Sequence, residues 1–180
     1  MEWLERAGLL LVMMRRLREH ESWCGETHIQ KAAYFLQELL RVPLEYRFVL
    51  YKHGPFSFEL RDELAGMQAE GFLVVQPMGY PYGPSLREGP AAEVVLKRYG
   101  KQAKAYRKQI EFVAAKLGDK RVVDLEKLAT ALYVTLEGRA TGQERAGRIH
   151  ALKTHIPIEG AQTALAEIDR MREEAEPVAC

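Results

Sequence analysis

Apolar positions three and four apart open the chain. Trp3, Leu4, Ala7, Leu10, Leu11, Met14 and Leu17 fall on one stripe, which predicts a helix over residues 2–20. After the turn WCGE the spacing returns in Ile29, Ala32, Ala33, Leu36, Leu39 and Leu40, with Thr27 as the expected N-cap and Pro43 as the stop. The period then drops to two. YRFVLY alternates and is rich in β-branched and aromatic residues, so residues 45–51 are expected as a strand. Gly54 and Pro55 break it, Ser57 stands at an N-cap, and Leu60, Leu64 and Met67 carry a third helix from Phe58 to Glu70, closed by Gly71. FLVVQP reads as a strand over 72–76, Met78 to Pro90 as a turn-rich loop, and AAEVVLKRY, 91–99, as the returning strand of a hairpin. Beyond Gly100 the pattern is helical: 101–117, 124–137, 143–152 and 159–175, parted by Gly118, Gly138 with Gly142, and Pro157.

This order predicts a mainly α (α+β) fold. Residues 1–100 are expected to form a winged-helix-like core with a β-hairpin wing. Residues 101–180 are expected to form a C-terminal helical bundle packed on that core as a single compact unit. The tail helix carries Ile158, Ala161, Leu165, Ile168 and Met171 on one stripe that suits such packing.

Composition narrows the classes. With 180 residues, 47% of them hydrophobic, the chain can bury a real core. Its 26 basic and 25 acidic residues leave a formal charge of +1, so no global field draws it to nucleic acid or membrane, and any charged function is local. Two cysteines, Cys24 and Cys180, make neither a disulfide framework nor a metal motif, which suits a reducing, cytosolic setting. The run LLLVMM at 9–14 is flanked by charges and is far below the roughly 18 apolar residues of a membrane span, so it is read as a core helix.

Candidate chemistry centres on YKHGPFSFELRDEL, residues 51–64. His53, at a strand end beside a tight turn, could serve as a base. Its nearest hydroxyl, on Ser57, belongs to a helix cap, so an imidazole that holds the turn, or contacts a partner, is the better reading. His150 and His155 are five apart and do not share a helix face, and no HEXXH motif is present, so no metal is expected. The third helix displays Glu59, Asp62, Glu63 and Glu70 against a single Arg61, which repels phosphate and suits protein binding. The basic run is KRYGKQAKAYRK, 97–108, with six cations, no acid and two tyrosines, a sequence able to track a nucleic-acid backbone or to remain a solvated face. Tyr80 and Tyr82 in the long loop have the character of binding anchors. Thr27, Gln30 and Lys31 are expected to bond to the chain around His53 and to set the wing.

Two blocks carry a family resemblance. Gly25, Thr27, Ile29, Gln30, Lys31, Tyr34 and Phe35 match one signature in order; Tyr51, His53, Gly54, Pro55, Phe56, Ser57, Leu60, Leu64 and Gly71 match a second. Together they resemble the Panacea or SocA-like antitoxin domain. The chain departs from the family's Lys-Pro before the last helix: here Lys153 is followed by Thr-His-Ile before Pro157. The resemblance implies a non-enzymatic, cytoplasmic, prokaryotic protein, without cofactor, that neutralises a partner toxin or phage-defence effector by binding it or delivering it to a protease. Thr27, Gln30, Lys31, Gly54, Pro55 and Ser57 would form its structural motif. Tyr80, Tyr82, His53, Arg61, Lys101 and Lys104 are the expected partner contacts. The alternative is a winged-helix DNA-binding transcriptional regulator using the wing and residues 97–108.

Overall fold

One helix is enclosed on every side, and the rest of the chain is arranged around it. A computed structural model describes residues 1–79, 83–142 and 144–179. The enclosed helix is α2, Glu26–Glu38, in which nine consecutive residues from His28 to Leu36 are buried. A helix without a solvated face needs neighbours all round. They are α3 (Phe58–Ala69), α5 (Arg107–Leu117), α6 (Val122–Glu137) and the strand β2 (Gly54–Phe56).

α1, Trp3–Glu19, buries Leu9, Leu10, Leu11, Met13, Met14 and Leu17 in the same core, so LLLVMM is interior to the protein. Among the described residues no helix is long and apolar enough to cross a membrane. α7 (Glu144–Leu152) and α8 (Ile158–Ala175) pack on α6 and on each other. Bidentate bonds from Arg145 to Asp169, at 2.8 and 2.6 Å, join them. The fold is mainly helical, with two short antiparallel hairpins.

Four sequence expectations are corrected. Thr27 does not cap α2: the helix starts at Glu26 with Gly25 as N-cap and no side-chain cap. Thr27 therefore already lies within the first turn. The 45–51 strand shortens to β1, Val49–Tyr51. Upstream, Val42, Leu44 and Tyr46 do alternate inward. In place of a partner strand, the Gln37 amide serves both backbone groups of Tyr46, accepting from its N–H and donating to its C=O at 2.8 Å each.

The third correction is the largest. AAEVVLKRY is α4, Ala92–Tyr99, with Ala92 and Val95 buried and Val94 outward. The strand that pairs β3 (Leu73–Gln76) is β4, Ser85–Glu88, inside the segment read as loop, in the register Leu73↔Glu88 to Gln76↔Ser85. Tertiary contacts overrode β-propensity here. Arg15 grips Glu88 through bonds of 2.8 and 2.6 Å, Arg18 donates to the Leu86 carbonyl at 3.0 Å, and the Leu86 N–H donates to the Cys24 carbonyl at 2.9 Å. α4 instead lies against α1 at Gly8, where a Cβ would stand 3.1 Å from the Tyr99 Cβ.

The fourth concerns α3. Ser57 caps it as expected, accepting from the Leu60 N–H at 3.2 Å. Glu63, read as exposed, is buried and ion-paired with Arg6 at 3.0 Å.

Candidate functional site

The His-Gly-Pro segment is the turn of a hairpin. β1 and β2 pair as Val49↔Phe56, Leu50↔Pro55 and Tyr51↔Gly54, so Lys52 and His53 form its two-residue tip. Gly54 has φ +84°, and a Cβ there would sit 3.1 Å from Thr130 Oγ1, so both the backbone and the packing require glycine.

Beneath the hairpin, buried side chains bond to its main chain and to the residue that follows it. Gln30 donates to the Ser57 carbonyl and accepts from the Ser57 N–H, both at 2.9 Å. Lys31 Nζ donates to the Pro55 carbonyl at 2.8 Å. Lys153, which follows α7, donates to the carbonyls of Tyr51 and Lys52. Gln30 and Lys31, from the first sequence block, thus hold the second block by its main chain. Thr27 takes no part: among the described residues its side chain makes no hydrogen bond.

A carboxylate completes the anchor. Glu126 of α6, with a side chain 8% exposed, lies 3.5 Å from Lys153 Nζ, 3.2 Å from His155 Nε2 and 3.5 Å from His53 Nδ1. The buried Lys153 ammonium is therefore paired with this carboxylate, and the Lys31 ammonium lies within its field. Burial pushes the Lys31 pKa down to about 8; Lys153 pushes the same way, and Glu126 with Glu26 opposes them. Thr130 Oγ1, against Gly54, is buried without a hydrogen-bond partner.

His53 sits at the rim of this cluster, its side chain 59% exposed, facing Glu126 and not Ser57. Ser57 is fully buried, with its hydroxyl committed to the Leu60 N–H, and Asp62 pairs with Arg61, so no nucleophile, base and orienter line up. The histidine fully engaged in hydrogen bonds is one the sequence did not single out. His28 lies between Ser22 Oγ, 3.1 Å from Nδ1, and the Leu117 carbonyl, 2.8 Å from Nε2, and burial lowers its pKa. His150 and His155 diverge, His150 Nδ1 lying 2.7 Å from the Ile156 carbonyl. Among the described residues no three His, Cys, Asp or Glu side chains group to hold a metal.

The outer face of the hairpin is aromatic. Tyr51, Phe56 and Phe58 form a closed triangle with ring centroids 5.6, 5.6 and 5.2 Å apart, and the Arg61 guanidinium stands 5.1 Å from the Phe58 centroid. Tyr51 is 45% and Phe58 42% exposed. Sequence reasoning passed over these rings because it treated Phe58 as a helix start. Their signal was three aromatics within eight residues at no helical period. Of the expected partner contacts, His53 and Arg61 border this face. Lys101 and Lys104 are exposed on a separate 3-10 segment, Gln102–Tyr106, and its flank, packed on α1 and α5. Tyr80 and Tyr82 lie outside the described residues.

A scan against protein-family models finds no match to the chain, and no curated protein matches it significantly.

Proposed function

We propose that the protein is a non-enzymatic, cytoplasmic protein-binding module of antitoxin type, which neutralises or regulates a toxin or phage-defence effector by direct binding. The observation that carries this reading is the aromatic triangle of Tyr51, Phe56 and Phe58 with Arg61, exposed on a hairpin that buried groups hold from below. Aromatic and arginine side chains dominate interface energetics, and a face fixed before binding loses little conformational freedom on association. The two sequence blocks of the antitoxin resemblance supply Gln30 and Lys31 of that support and Tyr51 and Phe56 of that face. In this reading α1, α2 and α3 with the β3–β4 wing make a winged-helix-like core, and α4 to α8 its helical half.

The DNA-regulator alternative finds little support on α3. Its exposed Glu59, Asp62 and Glu70 are acidic, and Arg61 is bonded to Asp62 at 2.8 Å.

The test is co-expression with the product of the neighbouring reading frame. Toxicity of that product, its suppression by this chain and co-purification of the two are expected. Tyr51→Ala with Phe58→Ala should abolish suppression with little change in the thermal midpoint. Full suppression by that double variant, or a neighbour that is neither toxic nor bound, overturns the proposal.

A further inference from the structure

We propose that α4, the 3-10 segment and the start of α5 form a ledge that contacts the phosphate backbone of duplex nucleic acid without reading its sequence. Lys97, Arg98, Lys101, Lys104, Arg107 and Lys108 are all exposed, and none makes an ion pair among the described residues. The nearest acids in the chain are already engaged. Glu93 pairs with Arg15, Glu111 with His20 at 2.8 Å and Arg16 at 3.8 Å, and Glu5 accepts from Gln102 at 2.7 Å. In a protein of formal charge +1 this is a concentrated field, offset locally by the Glu5 carboxylate at Gln102.

Geometry gives the charges a direction. Lys101 and Arg107 flank the 3-10 segment with helical dihedrals, φ −66° ψ −33° and φ −57° ψ −41°. Side chains three apart in a 3-10 helix eclipse one another at a pitch of about 6 Å, so Lys101 and Lys104 stand in line, and Tyr106, at φ −106° ψ 19°, turns the chain before Arg107 opens α5. Lys97 in the last turn of α4 and Arg107 and Lys108 in the first turn of α5 add charge on either side of the segment.

The occupant follows from what the ledge lacks. Tyr99 and Tyr106, which the sequence offers as stacking platforms, pack inward on the core, and Arg98 lies over the Tyr99 ring at 5.5 Å. Bases of a single strand therefore find no free ring to stack on. The ledge also has no aromatic anchor of the kind that carries protein interfaces. Clustered, unpaired cations without such anchors suit a duplex backbone, where affinity comes from counterion release. The ledge packs on α1, whereas the aromatic hairpin rests on α2 and α6, so it is independent of the antitoxin reading.

The test is fluorescence anisotropy of the full chain with a mixed-sequence DNA duplex, its single strand and polyglutamate. With about five phosphates neutralised, duplex affinity should fall about 500-fold between 50 and 200 mM salt. Lys101→Gln with Lys104→Gln and Arg107→Gln should lower the salt slope by about 2.7 units. Lys101→Arg with Lys104→Arg should keep duplex binding, as should Phe58→Ala. No duplex binding at 50 mM salt, an unchanged slope in the triple variant, or polyglutamate bound as tightly as duplex overturns the proposal.

Discussion

Lys31 carries an electrostatic conflict that sets a pH dependence. The residue is 1% exposed, lies in the opposing fields of Glu126 and Lys153, and has its pKa pushed down by burial to about 8. In the unfolded chain the same group titrates near 10.4. Between those values the unfolded chain holds more protons than the folded one, so stability rises with pH across that window. Lys31 alone should add about 2 kcal/mol between pH 8 and 10. Tyr34 and Tyr46, whose pKa values burial raises well above the phenol range, should reverse the trend once phenols of the unfolded chain ionise above about pH 10. Urea denaturation across pH 7–11 should show this maximum, and Lys31→Met should flatten its rising limb. At this scale the sequence was half legible. Gln30 and Lys31 could be linked to the His53 turn because two short motifs pointed at each other. Glu126 and Lys153 could not, since they approach the turn from 73 and 100 residues beyond His53 and carry no pattern of their own.

α4 shows why short apolar runs deceive at the scale of an element. Two adjacent valines and a tyrosine favour a strand, yet Ala92, Val95 and Tyr99 also fit a helical face, and the Gly8 notch in α1 accepts a helix there. Propensity over nine residues cannot decide between them; a packing partner more than 80 residues upstream does. The strand that does pair with β3, Ser85–Glu88, was invisible because one apolar residue, Leu86, is all it shows. Its place comes from Arg15, Arg18 and the Cys24 carbonyl. Val95→Ala should cost about 1–2 kcal/mol of stability, whereas Val94→Ala, at a position 68% exposed, should stay within about 0.5 kcal/mol. Thermal denaturation of the two variants checks the helical phase directly.

For the whole molecule, the boundary at residue 100 marks a change in sequence pattern and not a division of the core. α5 packs on both α1 and α2, and α6 on α2 and β2. Residues from both halves belong to one hydrophobic cluster. The first half runs α1, α2, the β1–β2 hairpin, α3 and the β3–β4 hairpin, and the helices beyond it supply part of the wall around α2. A fragment of residues 1–118 would expose the α2 surface that α6 covers and leave Lys31 without Glu126. It should lack a cooperative thermal transition and bind a hydrophobic dye, and a sharp transition in that fragment would refute this view.

The bonds from Lys153 to Tyr51 and Lys52 span about 100 residues of chain. Contacts of such separation close late in folding, because loop entropy must be overcome before they form. During synthesis the hairpin tip therefore lacks this tether until Lys153 has emerged. The hairpin that carries the aromatic face thus gains this last support only after the segment that follows α7 has been made.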